Sequence, residues 1–311
     1  MENSARSGPA VLDFLSVLVL AEDSVGYESP LLGQHGISFL VDARAGGERM
    51  RILADIGQNP EALLFNMDKL GVDIGSIDAI FLTHCHYDHT GGLARIVAAI
   101  GIPGLPIFAH PGIFRPNFVE TAQGRLHVGM RPEDSQSTLE SLGARLALSD
   151  KPISLMRGLY STGYVPRLSD FEGRGSALMT LDDLGNPVPD GMDDDISLVA
   201  SVPDGLVAIT GCSHAGISNI LRRAVEVAGG KDGTAGKGSA GGVRRIAAAL
   251  GGLHLIEADN ATVGKTAEAL RDLVDGFVAA GHCTGFDAQT ALRGALGGRF
   301  QPLRTGMRFS F

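Results

Sequence analysis

The 311-residue sequence has no tryptophan, only three cysteines and no long uninterrupted apolar segment. Because Cys85, Cys212 and Cys283 are odd in number, they cannot form a complete disulfide framework, and free thiols in a reducing cytoplasm are the better interpretation. No stretch approaches the roughly 20 apolar residues that a membrane-spanning helix needs. The apolar segment 9–21 is interrupted by Asp13, so it predicts a first strand rather than a signal peptide. We therefore expect a cytoplasmic protein with no membrane partner.

The chain also lacks a run of basic residues. It has 26 Lys and Arg against 35 Asp and Glu, giving a formal net charge of −9. A nucleic-acid backbone is normally bound by clustered positive charge, so we expect no nucleic-acid partner and a small-molecule substrate instead. The composition is also compatible with assembly into a homo-oligomer.

Apolar runs bounded by glycine and polar residues recur along the chain and predict strands, and segments with helical spacing follow them. Strands are predicted at 14–20, 37–41, 52–54, 79–82, 107–109, 196–202, 206–210, 245–250 and 276–280. Helices are predicted at 59–70, 93–100, 217–227 and 263–273. Strands followed by helices in both halves indicate an α/β sandwich with two sheets inside and helices outside. We expect one domain, 1–311, with an excursion at about 111–160 and a mobile glycine-rich loop at 229–242.

The densest group of ligand-type residues directly follows the strand predicted at 79–82. His84, His86, Asp88 and His89 have the spacing H-x-H-x-D-H. Imidazole nitrogens bind zinc, iron and similar metals, and a carboxylate can bind a second ion or orient its water. Burying these groups without a metal would leave several polar atoms unpaired. The motif therefore predicts a metal site.

With the following residues Thr90–Leu93, this motif resembles the signature of the metallo-β-lactamase superfamily. The resemblance is greatest to the branch named for dihydropterin-ribofuranosylaminobenzene-phosphate synthase. Further matching segments lie in the branch's order at 54–58, 210–217, 251–255 and 282–285. The resemblance implies a four-layer αβ/βα sandwich and a dinuclear site for two divalent metal ions, with zinc as the first choice and iron or manganese as alternatives.

The resemblance also implies a role for each early ligand. His84 and His86 are expected to hold one ion, and Asp88 and His89 the other. Asp88 is expected to act in catalysis as well, by orienting the hydroxide. His282 resembles the superfamily's last ligand histidine and is assigned to the second ion.

The chain departs from the superfamily in the later ligands. Most members have a bridging aspartate in a T-G-D context, where this chain has Cys212, and a histidine upstream, where it has the run 193–195 of three aspartates. His214 is predicted to complete the first ion's shell. Cys212 is either a bridging ligand or a small buried side chain, and the aspartates either supply a ligand or form a solvated turn. The number of ions, one or two, stays open.

His254 ends a predicted strand at the same edge, and we assign it as a catalytic residue that contacts substrate or protonates the leaving group. A structural histidine is the alternative. Asp55 is expected to support a ligand imidazole, and Arg167 to bind an anion. Cys85 and Cys283 are interpreted as packing residues. Three residues of the excursion are candidates for the substrate entrance or for a solvated loop: Arg115, His127 and Arg131.

These residues predict an enzyme, a metal-dependent hydrolase that uses a metal-activated hydroxide on a small, phosphorylated or pterin-like substrate. One alternative is a dihydropterin-type synthase that releases pyrophosphate. A metal-binding sensor without turnover is another. A di-iron redox protein is disfavoured, because related flavoproteins carry an attached flavin domain for which we expect no room.

Overall fold

The computed structural model describes residues 10–173, 177–229 and 245–311. The loop predicted at 229–242 lies outside the described residues, apart from Gly229. Within the described part of the chain, no helix has both the length and the apolar character that crossing a bilayer requires.

The first of two large sheets has seven strands in the order β18-β1-β2-β3-β4-β5-β8. Their bounds are β1 Phe14–Ala21, β2 Ser38–Ala45, β3 Glu48–Ala54, β4 Ala79–Phe81, β5 Pro106–Ala109, β8 Arg145–Leu148 and β18 Arg308–Ser310. β1 pairs with β18 and with β2, and β2 pairs with β3, all antiparallel. The pairs from β3 to β8 are parallel. The last described strand of the chain thus forms the edge next to the first.

The second large sheet repeats this arrangement in the order β17-β16-β15-β14-β13-β10-β9. Its strands are β9 Ser154–Met156, β10 Leu159–Ser161, β13 Leu198–Val202, β14 Gly205–Ile209, β15 Ile246–Gly252, β16 Val274–Gly281 and β17 Phe300–Pro302. The pairs from β14 to β17 are parallel, and those from β9 to β14 are antiparallel. Each sheet therefore has one parallel and one antiparallel part.

Seven α-helices accompany the sheets in the described residues. They are α1 Pro60–Lys69, α2 Tyr87–Thr90, α3 Leu93–Ile100, α4 Gln136–Ser141, α5 Ile217–Gly229, α6 Asn260–Leu273 and α7 Phe286–Leu296. α3 shows why such a segment is helical and where it packs. Leu93, Ile96, Val97 and Ile100 recur at helical spacing and are all buried, so one face of the helix covers the sheet.

Alternation along β1 explains the layering. Leu15, Val17 and Val19 lie in the apolar core between the two sheets, whereas Leu18 and Leu20 lie in the core between the first sheet and its helices. Successive side chains of a strand point to opposite faces, so a strand buried on both sides is apolar throughout. A third apolar core lies between the second sheet and helices α5, α6 and α7. The expected four-layer αβ/βα sandwich is confirmed.

A small third sheet has the order β12-β11-β6-β7. Its strands are β6 Phe118–Thr121, β7 Gly124–His127, β11 Leu178–Leu181 and β12 Pro187–Pro189. The excursion predicted at about 111–160 contains only half of it. Residues 145–148 belong to the first sheet and 154–161 to the second, because β8 pairs with β5 and β10 with β13.

Candidate metal centre

The parallel strands deliver polar side chains to one edge of the sandwich. His84 and His86 follow β4, Cys212 and His214 follow β14, His254 follows β15, and His282 follows β16. The carboxyl ends of parallel strands lie at the same edge of a sheet, and loops at that edge carry sites in many α/β proteins. The two sheets face each other here, so the loops from both converge.

His84 and His86 turn ring nitrogens toward each other. The Nδ1 of His84 lies 3.0 Å from the Thr83 hydroxyl, which itself donates to a carboxylate, so this Nδ1 carries the proton. His86 donates its Nε2–H to the Asn117 Oδ1 at 3.1 Å. The remaining pair, His84 Nε2 and His86 Nδ1, lies 3.2 Å apart with both lone pairs free. This buried arrangement fits a shared cation.

His89 is oriented in the same way by Asp55. The Asp55 carboxylate accepts from the His89 Nδ1 at 2.7 Å and from both the backbone N–H and the hydroxyl of Thr83. The free Nε2 of His89 is left 3.1 Å from the Cys212 sulfur and 3.6 Å from the Asp88 carboxylate. Asp55 thus holds both Thr83, just before the motif, and His89, at its end. Support of a ligand imidazole is the role that the sequence analysis predicts for Asp55.

His282 is held by residues at the end of β1. Its Nδ1 lies 2.9 Å from Asp23, and its backbone N–H donates to Glu22 at 2.5 Å. Its Nε2 lies 3.1 Å from the Asp88 carboxylate, but the angle is not that of a hydrogen bond, and this buried nitrogen has no partner among the described residues. The Nε2 of His214 is buried and unpartnered in the same sense.

Two of the groups of ligand atoms that contain Cys212 also contain residues of the H-x-H-x-D-H motif. One consists of Asp88, His89, Cys212 and His282, the other of His84, Cys212 and His214, and within each group the atoms lie within 4.8 Å of one another. His86 is outside the second group but adjoins it through His84. These donors fit two ions that share the Cys212 sulfur, because borderline metals accept imidazole, carboxylate and thiolate ligands together.

Burial controls the charge of these groups. Loss of solvation, reinforced by the other imidazoles, lowers the pKa of His84 and His214 well below the ordinary value and that of His86 to about 4. Burial alone would raise the pKa of Asp88, but His89 and His282 outweigh it and hold that pKa far below its usual range. The pKa of His282 moves in the opposite direction: burial would lower it, but the Asp23 and Asp88 carboxylates outweigh burial and raise it well above its ordinary value. Neutral imidazoles at His84, His86 and His214 beside an ionised Asp88 are the protonation states in which these residues bind metals, whereas His282 must release a proton to do so.

The solvated turn considered for residues 193–195 is correct only for Asp193, which is exposed. Asp194 is buried, accepts the backbone N–H of Cys85 at 2.8 Å and pairs with Arg115 at 2.7 Å. Asp195 is buried and accepts the backbone N–H of Ala215 at 2.6 Å. Neither buried aspartate belongs to a ligand group within the described residues. Both instead connect the loops that carry ligands.

Arg115 is partly buried and lies in an ion-paired network. It makes two hydrogen bonds to Asp190, whose carboxylate also accepts from the Asn117 amide at 2.7 Å. Because Asn117 also accepts from His86, it links the Arg115–Asp190 ion pair to a proposed metal ligand. Arg167 pairs with Asp193 at 3.3 Å and donates to the backbone carbonyl of Met192.

His254 and Cys283 lie beside the two ligand groups. The exposed imidazole of His254 has its ring centre 4.0 Å from that of His214. The backbone N–H of His254 donates to the Cys283 sulfur at 3.3 Å. Cys283 therefore adjoins the ligands, although the sequence suggests only packing for it. Cys85 is buried and outside the ligand groups.

One residue of the site, His35, is missed by the sequence analysis. Its half-exposed ring lies 4.9 Å from that of His282, and its Nε2 lies 3.5 Å from Asp88. The adjacent Gly36 has φ 109°, and a Cβ there would overlap the carbonyl of Asp88. A histidine followed by glycine before a strand is the only local signal for this close approach.

The fold and this histidine-rich edge define a class of protein. The sequence pattern of the metallo-beta-lactamase superfamily matches residues 31–282, so the chain belongs to that superfamily. The crystal structure of Tm1679, a metal-dependent hydrolase of the beta-lactamase superfamily, aligns with a TM-score of 0.74 and 23% identity over 95% of this chain and 98% of that one. The metallo-beta-lactamase fold protein YhfI from Bacillus subtilis aligns with a TM-score of 0.56 and 12% identity over 96% and 100%. At these identities the two structures show the fold alone.

A particular relative is more similar in sequence. The 7,8-dihydropterin-6-methyl-4-(beta-D-ribofuranosyl)-aminobenzene-5'-phosphate synthase of Methanocaldococcus jannaschii is 35% identical over 302 residues, which cover 96% of this chain and 98% of that protein. The uncharacterized protein MJ0448 of the same organism is 28% identical over 270 residues, covering 87% of this chain and 91% of its own. The resemblance stated from the motifs is therefore confirmed, and the similarity extends over nearly the whole chain.

Proposed function

We propose that the chain is a metal-dependent hydrolase with two divalent ions, zinc first and iron or manganese as alternatives. The observation that carries the proposal is the pair of ligand groups sharing the Cys212 sulfur. His84, His86 and His214 are assigned to one ion, and Asp88, His89 and His282 to the other. Cys212 takes the bridging position in which most of the superfamily has aspartate.

Two such ions, when bound, polarise a substrate oxygen and lower the pKa of a water toward neutrality. The chain's own residues supply positioning. Thr83, Asn117, Asp55 and Asp23 fix which nitrogen of four histidines is free, so these donors are arranged before any ligand arrives: His84, His86, His89 and His282. Asp88 is ionised and central, which suits a residue that accepts a hydrogen bond from the attacking water.

His254 is the proposed proton donor for the leaving group. Its imidazole is exposed, so a substrate can reach it from solvent. Burial of its surroundings lowers its pKa, but the neighbouring Cys283 and Asp195 outweigh this, and the net pKa is raised. A histidine that holds its proton near neutral pH can act as a general acid.

The proposed substrate is a small phosphorylated or pterin-like molecule processed in the cytoplasm. The name of the 35% identical relative contains both a dihydropterin and a 5'-phosphate, and the similarity extends over 96% of this chain. The same similarity supports a second candidate, a dihydropterin-type synthase that releases pyrophosphate. A metal site that stabilises a phosphate leaving group suits either reaction.

Metal analysis and substrate turnover, measured together, test these proposals. Elemental analysis of the untagged protein is expected to give two zinc, iron or manganese ions per chain. A panel of a phosphodiester, a phosphomonoester, a lactone and a thioester tests hydrolysis. Release of pyrophosphate from a dihydropterin pyrophosphate, only when an aminobenzene ribofuranosyl phosphate is present, would select the synthase. One ion or none after metal is added back, with no turnover, would contradict the two-metal enzyme.

A further inference from the structure

A third group of ligand atoms lies beside the proposed two-metal centre. The sulfurs of Cys212 and Cys283 and a ring nitrogen of His254 are all within 4.8 Å of one another. We propose that these three side chains form a separate metal position that takes a thiophilic divalent ion. The inference rests on the proposed function in two respects: Cys212 is shared with that centre, and His254 is its proposed proton donor.

The backbone is arranged to bring the two sulfurs together. Gly252 lies between them, and a Cβ at that residue would come within 2.5 Å of the Cys283 sulfur and 3.3 Å of the Cys212 Cα. Any other residue at 252 would displace one cysteine. The Cys283 sulfur also accepts the His254 backbone N–H at 3.3 Å, and in its protonated form it donates to the Cys212 carbonyl oxygen at 3.5 Å. An N–H donated to sulfur favours the thiolate that binds metal.

The group has a route for an ion to enter. Both sulfurs are buried, whereas the His254 side chain is exposed, so the position opens to solvent on the imidazole side. Three protein ligands and one open position are the arrangement of solvent-accessible zinc sites with two cysteines and one histidine. The imidazole is therefore the ligand that an arriving ion meets first.

Ligand chemistry separates this position from the other two. The groups around His84 and Asp88 contain imidazole and carboxylate with one shared sulfur, whereas the third group has two sulfurs among three donors. Soft thiolate ligands favour thiophilic ions over ions that prefer oxygen ligands, such as manganese. An ion held here would occupy His254 and draw Cys212 away from the bridging position. The third position is therefore inhibitory, and excess of a thiophilic ion stops turnover.

Cadmium titration of the metal-free, reduced protein tests this position without measuring activity. The wild type is compared with Cys283→Ala, His254→Ala and Cys85→Ala. Bound Cd2+ is counted by native mass spectrometry, and sulfur-to-cadmium charge transfer is followed in the ultraviolet. Cys85 is the matched control because its sulfur is buried, like that of Cys283, but belongs to no ligand group of the described residues.

We expect the wild type and Cys85→Ala to bind one more Cd2+ per chain than Cys283→Ala and His254→Ala. Cys283→Ala should also show about half the wild-type charge transfer, since one of two thiolates is lost. His254→Ala removes only an exposed side chain, and circular dichroism checks that each variant is folded. Equal cadmium counts in the wild type, Cys283→Ala and His254→Ala would overturn the third position while leaving the two-metal centre intact. Cadmium that binds the wild type and is lost completely in Cys283→Ala would support the third position and contradict the two-metal centre.

Discussion

The loop after β4 and the loops of the second sheet both bring ligands to the centre, but over very different lengths of chain. His84, His86, Asp88 and His89 lie within six residues, whereas Cys212 and His282 are 70 positions apart. The compact motif is positioned by hydrogen bonds to Thr83, Asp55 and Asn117. The dispersed ligands are brought together by parallel strand pairing. The two regions therefore differ in what positions their ligands: side-chain hydrogen bonds in the first and sheet topology in the second.

Removing one ligand from each region should have the largest effect and tests whether the regions are equivalent. We expect His86→Ala and His214→Ala each to abolish turnover and lower the metal content, because each removes a proposed ligand of the first ion. These losses should exceed the ~10–100-fold that follows loss of a residue supporting a ligand. His127→Ala, an exposed histidine of β7, is the control. Full metal content and activity in His214→Ala would refute its assignment.

Breaking the buried connection between the regions should affect stability. Asp194 lies just before β13 of the second sheet, but it binds the Cys85 backbone N–H and Arg115. Asp194→Ala should lower the free energy of unfolding by about 3 kcal/mol, at the lower end for a broken buried ion pair because Arg115 keeps Asp190. Asp193→Ala is the control: it removes the neighbouring exposed carboxylate and should change the free energy of unfolding little. Equal urea midpoints for the two variants would contradict this connection.

The carboxylates that support a ligand histidine in each region, Asp55 and Asp23, should differ in their effect on metal affinity. Asp55 holds His89 and is buried, with its side chain 2% exposed, whereas Asp23 holds His282 with its side chain 40% exposed. Asp55→Asn should reduce metal affinity ~10–100-fold, and Asp23→Asn should reduce it less, because water can replace an exposed acceptor. Competition with a metal-binding dye measures both affinities. A larger loss in Asp23→Asn would show that burial does not determine the contribution of these partners.

The smallest expected effect concerns pH. Burial lowers the pKa of His110, so the folded state takes up this proton at a lower pH than the unfolded chain does. The neutral form therefore contributes stability above the unfolded pKa of about 6.5, and this contribution is lost as the pH falls through that value toward the folded pKa. Because the ring is half-exposed, we expect the change in unfolding free energy to stay under about 1 kcal/mol.

His110→Asn is the matched variant for this measurement. The His110 ring accepts the backbone N–H of Gly112 at the start of a short 3₁₀ turn, and asparagine can make the same cap without titrating. Between about pH 7.5 and 5.5, the wild type should lose more stability than this variant in chemical denaturation. Parallel curves for the two proteins would refute the predicted contribution.

Local pattern was enough to predict most of the large sheets. The runs at 14–20 and 107–109 become β1 and β5, because strands buried on both faces are apolar throughout. The third sheet was not predicted, because β6 pairs with β11 about 60 residues later and the residues around these strands contain no turn or pattern that indicates the pairing. Antiparallel pairing at such a separation is set by the completed fold.

The site shows the same division. The H-x-H-x-D-H motif can be identified from the sequence because its ligands lie in one loop. The structure places His214, Cys212 and His282 beside that loop. Their roles as ligands stay predictions. His35, Asp23 and Asn117 carry no local motif, so their contacts with the ligand histidines and Asp88 emerge only when separate loops meet. Cys283 adjoins a ligand in sequence, and only its position beside Cys212 distinguishes it from a packing residue.

The pairing of β1 with β18 has a consequence for biosynthesis. Thr305 and Gly306 hydrogen-bond to residues beside β1, next to the segment where Glu22 and Asp23 hold His282. Phe14 is synthesised nearly 300 residues before Arg308. The apolar edge of β1 that pairs with β18 therefore stays unpaired in the nascent chain for most of translation. Contacts of this separation form slowly, and exposed edges promote aggregation. The yield of folded protein should therefore depend on chaperone supply during expression.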